Sequence, residues 1–401
     1  MNEKLKILVV NEFYHPVQMG GAEVSVQLLA EKFYAMGHCV YILCSSEECK
    51  NELVNNIQVF RVNGNPVAWN GETKKLGKLK KILWHIADIY NPIVKKKISK
   101  IIKDVNPDVI FTNNIAHLSC SVWNAAKENH IPVVHTLRDY NLLCPKRTLW
   151  NNHKCCERIC CTCKFFSIAN KMFSQKVDAV VGISNHILQR HLQEGYFLNS
   201  ERRVIFNSVN SVNTQNKQSK SLKIGYLGKI HESKGVEVLI KAFSLCENTK
   251  YSLLLAGAGE TSYIEHLREI IGNKKNIHFC GKVNRDSFFK DIDLLVVPSI
   301  WEEPFGRTVI EAVAANVPVI AARSGGISEI LVGHDVGKLY EPSSIFELKE
   351  LLNDFMKGLV KFDFSAKEAF IERFSQNVIA KQYIDLFQFI KNKPEKTNNG
   401  Q

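Results

Sequence analysis

Short apolar runs alternate with amphipathic segments along most of the chain. Residues 6–10 (KILVV) form an apolar run rich in β-branched residues, and a glycine-containing loop follows it. Between Ala22 and Met36 apolar residues recur at helical spacing, and Gly37 suits the end of a helix. The same rhythm recurs around the apolar runs 108–112, 132–136 and 179–183. Continuous apolar strands separated by helices are typical of a parallel sheet that helices cover on both faces.

A polar stretch interrupts this rhythm at residues 207–221, which we interpret as a linker. Beyond it the rhythm restarts, with apolar runs at 223–227, 252–256, 277–280, 294–297 and 318–322. The pattern therefore predicts an α/β chain with two doubly wound domains, residues 1–206 and 222–375, that face a central cleft. Residues 376–391 are predicted to form a helix, and the polar residues 392–401 a disordered tail.

The composition excludes several classes of protein. The chain has 401 residues, of which 45% are hydrophobic and 23% charged, the profile of a globular chain rather than a disordered or fibrous one. No apolar run reaches the roughly 18–20 residues of a membrane span. The first residues, MNEKLK, lead into a strand rather than a signal peptide. We therefore expect a cytoplasmic protein.

The formal charge of +12 lies in the first half of the chain. Residues 1–220 contain 29 basic and 17 acidic residues, whereas residues 221–401 contain 23 of each. Either the first domain faces an anionic partner, such as nucleic acid, a membrane or a charged acceptor, or its lysines form an ordinary solvated surface. Residues 74–103 form a basic amphipathic segment, broken near Asn91 and Pro92. This segment either lies on the inner face of an anionic membrane or packs one face on the sheet.

Six of the twelve cysteines fall between Cys144 and Cys163. In a chain without a secretion signal, such a cluster indicates a metal site more readily than a disulfide framework. Four thiolates would hold a structural zinc ion in a tetrahedral site, and we draw them from Cys144, Cys156, Cys160 and Cys163. The adjacent pairs at 155–156 and 160–161 leave the choice of ligands open, and free thiols or a redox-active group are the alternatives.

The strongest chemical signal is the segment 302–311, EEPFGRTVIE, between the apolar run 294–297 and a helical pattern that begins near residue 307. Gly306 allows close approach of the backbone, and the N–H groups of a first helical turn are available to bind oxygens. Glu303 lies in the loop and Glu311 two turns into the helix, so both carboxylates can point along one cleft. Carboxylates in such positions hold sugar hydroxyls well.

This segment resembles the signature of glycosyltransferase family 4, whose members are retaining enzymes of the GT-B fold. The resemblance covers nearly the whole chain, with motifs in the expected order at 6–10 and 20–23 (GGAE), 225–229 (GYLGK), 234–235, 256–260 (AGAGE) and 324–326. The segment from Arg138 into the cysteines is similar to that of a cysteine-containing subset of the family. The resemblance therefore implies a GT-B fold and glycosyl transfer.

The resemblance also implies roles for individual residues. Lys229 and Lys234 would neutralise the donor diphosphate, although the family usually has arginine where Lys229 stands. Glu311 would hold the ribose hydroxyls and Glu303 the donor sugar. The other donor-binding residues that it implies are Gly20, Gly21, Gly228, Gly257, Phe305, Gly306, Arg307 and Thr308. We expect no catalytic metal, with lysines and the helix dipole stabilising the diphosphate.

The family often has His-Asp where this chain has Arg138 and Asp139. The role of the family histidine would fall to Arg138 or to His135, three residues earlier; alternatively, His135 is a hydrogen-bonded histidine of the strand. Arginine cannot act as a base. In a retaining front-face reaction the departing phosphate can take the proton of the acceptor.

We therefore predict a retaining hexosyltransferase that uses a nucleotide-sugar donor, such as a UDP-sugar, and a saccharide or lipid-linked acceptor in cell-envelope polysaccharide or glycoconjugate synthesis. A sugar-nucleotide epimerase of the same fold is the alternative. A zinc-containing nucleic-acid-binding protein is a third reading. The charge balance of residues 221–401 and the lack of interleaved aromatic and basic residues around the cysteines speak against it. We thus expect no nucleic-acid partner.

Overall fold

The computed structural model describes residues 3–17, 20–64, 77–209, 222–247 and 250–393. The chain divides into two compact units. The first consists of Met1–Leu149, Arg158–Ser208 and Gln376–Gln401, and the second of Trp150–Glu157 and Val209–Ser375. Residues 210–221 of the predicted linker, 394–401 of the predicted tail and 74–76 of the basic segment lie outside the described residues.

The first unit is built on an eight-stranded sheet and the second on a six-stranded sheet, and a short hairpin is the third sheet of the described chain. In chain order the strands are β1 (Lys6–Asn11), β2 (Cys39–Ser45), β3 (Lys50–Val54), β4 (Ile57–Val62), β5 (Val109–Thr112), β6 (Val133–Leu137), β7 (Trp150–Asn151), β8 (Lys154–Cys155), β9 (Ala179–Gly182), β10 (Glu201–Val204), β11 (Lys223–Leu227), β12 (Ser252–Ala256), β13 (Ile277–Gly281), β14 (Leu294–Val297), β15 (Val319–Ala322) and β16 (Gly337–Tyr340). The helices are α1 (Gly21–Ala35), α2 (Lys78–Ile89), α3 (Pro92–Val105), α4 (Ser121–Glu128), α5 (Cys161–Ser174), α6 (Asn185–Gln193), α7 (Val236–Ser244), α8 (Thr261–Ile271), α9 (Arg285–Asp291), α10 (Arg307–Ala314), α11 (Gly326–Leu331), α12 (Ile345–Met356), α13 (Lys367–Glu372) and α14 (Gln376–Lys391).

Both sheets are doubly wound. The first has the strand order β10-β9-β6-β5-β1-β2-β4-β3, and its neighbours are parallel except for the β3–β4 pair. The second has the order β13-β12-β11-β14-β15-β16 and is parallel throughout. The predicted α/β chain with two doubly wound sheets is therefore confirmed.

Apolar strands form the centre of each unit. Every residue of β5, β6 and β9 is buried, and alternate apolar residues of β11, β12 and β14 belong to the core of the second unit. Burying one large aliphatic side chain stabilises a fold by about 1.5–3 kcal/mol, so strands of this kind are held at the middle of the sheet.

Helix α14 packs in the first unit, although the sequence places it after the second domain. The rings of Phe111 and Tyr383 lie 4.9 Å apart, and those of Phe33 and Phe387 lie 5.7 Å apart. Replacing one such buried ring by alanine typically costs about 3–5 kcal/mol. The first unit is therefore completed by the end of the described chain rather than by residues 1–206 alone.

The hairpin β7–β8 belongs to the second unit, whereas the sequence treats residues 144–163 as an insertion of the first domain. The Cys155 Sγ lies 3.4 Å from the carbonyl oxygen of Ile300, and His153 Nδ1 lies 2.7 Å from Glu232 Oε2. The cysteine-rich segment is therefore divided between the two units.

The basic segment of the sequence forms two helices, α2 and α3, that are broken where the sequence predicts. Asn91 caps α3, because its side-chain oxygen accepts hydrogen bonds from the N–H groups of Ile93 and Val94 at 3.0 and 3.2 Å. Helix α3 turns its apolar face inward, with Val94, Ile98 and Ile102 all buried. For α3, packing on the sheet is the correct one of the two alternatives. No helix of the described residues is long and apolar enough to cross a bilayer.

The strand order reverses at one point in each sheet. In the first sheet this point lies between β1 and β5, and in the second between β11 and β14. Ligands of doubly wound sheets bind beyond the carboxyl ends of the strands at such points. The loops that matter most are therefore those that follow these four strands.

Candidate functional site

Glu303 lies in the loop that follows β14. Its backbone oxygen accepts the N–H of Gly326 at 2.8 Å, which fixes the loop against the start of α11. Its carboxylate oxygen Oε1 accepts hydrogen bonds from Ser299 Oγ at 2.9 Å and from Lys234 Nζ at 2.6 Å. The carboxylate predicted to contact the donor sugar is thus held by a hydroxyl and an ammonium at the switch point of the second sheet.

Lys234 ends the turn of 3-10 helix that precedes α7. Its Nζ also lies 4.2 Å from the centroid of the Trp301 ring, a cation–π contact. Gly235, the next residue, has φ of +66° and packs so tightly that a Cβ there would lie 1.9 Å from the carbonyl oxygen of Pro298. Only glycine allows the backbone at position 235 to come so close to Pro298, and this close packing brings Lys234 to the end of β14.

Glu311 is buried in α10 and binds two arginines. Its Oε1 accepts from Arg285 Nη1 at 2.6 Å and from Arg307 Nε at 2.7 Å. Burial alone would lower the pKa of Arg285, but the charges of Glu311 and Asp286 outweigh it and raise that pKa. Glu311 therefore lies between two cations, and Arg285 is a residue of the site that the sequence did not predict.

The start of α10 places backbone donors beside these charges. Gly306 precedes the first helical residue and has φ of +148°. Phe305 is buried with its ring 6.1 Å from that of Phe374, and Arg307 and Thr308 open the helix half-buried. The N–H groups of a first helical turn point out of the helix toward a bound oxygen.

The loops after β11 and β12 touch through their backbones. A Cβ at Gly257 would lie 1.7 Å from the carbonyl oxygen of Gly228, so no larger residue fits there. The Gly228 N–H donates to the carbonyl of Ala256 at 3.0 Å, and Tyr226 Oη donates to the carbonyl of Lys229 at 2.7 Å. The side chain of Lys229 is exposed beside this contact.

A cavity of about 630 Å³ opens in the second unit beside Gly235, the residue that follows Lys234. It is lined by Gly235 and Ile300, the neighbours of Lys234 and Trp301 in the chain, and by Trp150 of the hairpin. Small-molecule sites of proteins commonly have volumes of about 300–1,000 Å³, so the cavity has room for a ligand of that size.

In the first unit the predicted glycines stand at the start of α1. The Gly20 N–H donates to Glu23 Oε2 at 2.9 Å, and Gly21 is the first helical residue. Burial raises the pKa of Glu23. The glycine pair therefore belongs to a capped helix start in the loop that follows β1.

His135 is a core residue, not a member of the site. It lies within β6, its Nδ1 is 2.9 Å from Thr112 Oγ1, and its ring meets that of Trp123 at 5.0 Å. Burial lowers its pKa to about 3, so the ring stays neutral at any ordinary pH. The catalytic assignment of His135 is corrected on these grounds, and the alternative of a hydrogen-bonded strand histidine describes it.

Arg138 and Asp139 follow β6, as the sequence predicts, but Arg138 turns inward. Its Nε donates to Asn113 Oδ1 at 2.8 Å, and its Nη1 donates to Asn207 Oδ1. Asp139 accepts the N–H of Asn141 at 2.8 Å, and burial raises its pKa. Arg138 therefore ties three chain segments together, whereas Asp139 is the member of the pair with acid–base chemistry.

A charged cluster that the sequence did not predict lies at the switch point of the first sheet. Arg147 forms a two-pronged ion pair with the buried Glu12, at 2.6 and 2.8 Å, and Asn114 Nδ2 donates to Glu12 Oε2 at 2.7 Å. His117 Nε2 lies 3.3 Å from the other oxygen of Glu12. Burial raises the pKa of the nearby Asp88 to about 7. The one signal in the sequence was the position of Glu12, directly after β1.

The predicted zinc site is not supported. Among the residues that the structure describes, no group of three or more His, Cys, Asp or Glu side chains is arranged to hold a metal ion. Cys156 belongs to the second unit, and Cys144, Cys160 and Cys163 to the first. Hydrogen bonds from the backbone and side chain of Cys163 lower the pKa of Cys160, which caps α5. Burial and hydrogen bonds to the thiols of Cys160 and Cys144 raise the pKa of Cys163.

Two family models match the chain side by side. The model described as Glycosyltransferase Family 4 matches residues 19–212, and the one described as Glycosyl transferases group 1 matches residues 210–372. An uncharacterised 42.6 kDa protein in the cps region of Klebsiella pneumoniae is 34% identical over 329 residues, which cover 81% of this chain and 87% of that protein.

Solved structures with the same fold cover nearly the whole chain. Sucrose-phosphate synthase from Thermosynechococcus elongatus superposes with a TM-score of 0.73 at 17% identity, over 96% of this chain and 99% of that one. Anabaena HepE in complex with UDP and glucose superposes with a TM-score of 0.67 at 18% identity, over 96% and 99% of the two chains. The predicted GT-B fold is confirmed.

Proposed function

The chain belongs to the group 1, family 4 glycosyltransferases of the GT-B fold, and from that premise we propose that it transfers a hexosyl group from a nucleotide sugar to a saccharide or lipid-linked acceptor, with retention of configuration. One observation carries the proposal. The switch point of the second sheet gathers the Lys234–Glu303 pair, the buried Glu311 and the first turn of α10.

The donor diphosphate is the natural partner of these cations and N–H groups. Lys234 and Lys229 neutralise its charge, and the start of α10 donates to its oxygens. As the bond between the sugar and the phosphate breaks, negative charge grows on the leaving diphosphate, so these contacts stabilise the transition state more than the ground state. The diphosphate also receives hydrogen bonds from the backbone amides of Phe305 and Gly306 and from the side chain of Thr308.

The two carboxylates bind hydroxyl groups of the donor. Glu303 accepts hydrogen bonds from the sugar, and Glu311 from the ribose, while Arg285 and Arg307 hold the Glu311 carboxylate in place. The cavity beside Lys234 offers space for the sugar. UDP bound to the HepE structure supports a uridine nucleotide as the donor.

The acceptor binds through the charged cluster of the first unit. Glu12 and Asp139 accept hydrogen bonds from acceptor hydroxyls, and Arg147 orients Glu12 through its two-pronged ion pair. His135 is buried and Arg138 is always charged, so neither takes a proton. The acceptor oxygen forms its bond to the anomeric carbon on the face that the diphosphate leaves, and the departing phosphate oxygen takes the acceptor proton.

The cps-region relative supports an acceptor that belongs to a cell-surface polysaccharide. Positive charge on lysines and at a helix start supplies the stabilisation that the diphosphate needs without a metal.

A nucleotide-sugar screen tests the proposal. UDP-, ADP- and GDP-sugars are added singly, and the true donor raises the apparent stability, by about 2.7 kcal/mol at a hundred times its dissociation constant. Turnover is then followed with and without saccharide acceptors, and the anomeric configuration of the product is read by NMR. Release of nucleoside diphosphate only with acceptor, and a product with the donor's configuration, supports the proposal. An inverted product refutes retention, and an epimerised donor without acceptor points to the epimerase.

A further inference from the structure

Helix α5 exposes a row of apolar side chains. Phe165, Ile168 and Met172 are 69, 57 and 69% exposed. They are three and four residues apart, so they share one face of the helix, whereas Ser167 and Ser174 on the other side are buried. Large apolar groups that lie together on a surface mark a site of interaction, since single exposed ones are common but contiguous patches are not.

The neighbouring helix α2 also exposes apolar side chains. It packs beside α5, and its residues Leu79 and Leu83, one turn apart, are also exposed. We call the five residues Leu79, Leu83, Phe165, Ile168 and Met172 the outer face. All of them belong to the first unit.

The charged residues of α5 have one sign. Lys164 and Lys171 are exposed, and each directly precedes an apolar residue of the α5 row, so they flank it. Helix α5 contains no acidic residue, and α2 adds the exposed Lys80 near Leu79 and Leu83. This combination of projecting apolar groups and flanking lysines matches the boundary between lipid headgroups and acyl chains.

We propose that the outer face docks the first unit on a membrane surface that contains anionic lipid. The apolar side chains enter the boundary region, and the lysines remain level with the anionic headgroups. This inference goes beyond the proposed glycosyl transfer, because it involves no residue of the donor or acceptor sites. It moves the membrane contact from α3, whose apolar face is buried, to α5 and α2.

A second copy of the chain fits this surface less well. In a symmetric dimer the same patch meets itself, so Lys164 and Lys171 would face lysines of the partner. Like charges at a desolvated contact are unfavourable, whereas anionic headgroups satisfy them.

The test is sedimentation of the full chain with vesicles. One set is phosphatidylcholine alone and the other contains about one-third phosphatidylglycerol. We expect the unmodified chain to bind the anionic vesicles. The variant Phe165→Ser/Ile168→Ser/Met172→Ser should bind them about tenfold more weakly or worse. Each lysine near an anionic membrane increases the binding constant about fivefold, so Lys164→Gln/Lys171→Gln should bind the anionic vesicles about 25-fold more weakly.

The second unit supplies matched controls. Phe346 is 70% exposed, and Phe346→Ser/Leu359→Ser and Lys357→Gln/Lys361→Gln make the same chemical changes at exposed positions. These variants should bind as the unmodified chain does. All variants should keep the thermal transition and the nucleotide binding of the unmodified chain, which separates this proposal from that of glycosyl transfer. Unchanged vesicle binding of the triple variant, equal binding to both vesicle sets, or a dimer that the triple variant dissolves would overturn the inference.

Discussion

The pair of Lys234 and Glu303 gives the sharpest prediction, because its two members should act in opposite directions on nucleoside diphosphate binding. Their charged atoms are 2.6 Å apart. A phosphate oxygen that binds Lys234 at about 3 Å therefore comes within about 6 Å of the Glu303 carboxylate, which repels it. Replacing Glu303 by glutamine removes the repulsion and leaves the lysine in place.

The size of the effect follows from the distance. Two unit charges about 6 Å apart interact by about 3 kcal/mol at an effective dielectric constant of about 20, and by under 1 kcal/mol in water. Since both side chains are partly exposed, we expect about 1 kcal/mol, or about fivefold tighter binding of UDP by Glu303→Gln. Turnover should nevertheless fall about 10- to 100-fold, because the amide is a weaker acceptor for the sugar hydroxyl.

Titration calorimetry with UDP and steady-state turnover measure the two effects separately. Lys234→Met should weaken UDP binding by about 1–3 kcal/mol. Asp291→Asn is the matched control, because it breaks a comparable pair with Lys223, 2.5 Å long, at the start of β11 and away from the carboxyl ends of the strands. It should change neither quantity. If Glu303→Gln binds UDP no more tightly and turns over normally, Glu303 is not beside the diphosphate and the assignment of this site is wrong.

Three further predictions concern stability and thiol chemistry. Glu311→Gln should lower the free energy of unfolding by about 2–3 kcal/mol in urea and weaken UDP binding; lower stability with normal UDP affinity would limit Glu311 to a structural role. Burial lowers the pKa of His135 to about 3 and of His191 to about 4, from 6.5. The two neutral rings contribute fully to the free energy of unfolding above pH 6.5, and this contribution is lost as the pH falls, by about 2 kcal/mol for each ring at pH 5. Urea unfolding at pH 7 and pH 5 measures the loss, and equal free energies of unfolding would contradict it. Cys160, whose pKa is lowered by hydrogen bonds in the first turn of α5, should be alkylated faster at pH 7 than its exposed neighbour Cys161, as mass spectrometry can measure.

The sequence predicted the central strands apart from β4, and of the four edge strands it predicted only β13. Strands such as β5 and β9 are buried on both faces, so each reads as a short run of apolar residues. The outermost strands of the first sheet, β3 (KNELV) and β10 (ERRV), were missed. Edge strands carry charged residues because water reaches them, and so they resemble loops in sequence.

The same physical difference separates the site residues that were predicted from those that were not. Glu303 and Glu311 stand eight residues apart on one loop and helix, so a local pattern describes them. The ion pair of Glu12 and Arg147 joins residues 135 positions apart. Arg285 reaches Glu311 from the start of another helix. No local pattern contains such pairs, since only the folded sheet brings their loops to one edge.

The carboxylates of the donor site are paired with cations, which affects how single substitutions there should be interpreted. Each carboxylate that we assign to the donor is already bound to a cation, Glu303 to Lys234 and Glu311 to two arginines. Such pairing fixes the side chains before a donor arrives, and a site organised in advance costs little to reorganise during the reaction. It also means that removing one member leaves its partner's charge uncompensated, so the loss measured for one substitution includes that penalty. The contribution of Lys234 to diphosphate binding is therefore best measured as the effect of Lys234→Met in the Glu303→Gln background, and the double-mutant cycle gives the coupling between the two side chains.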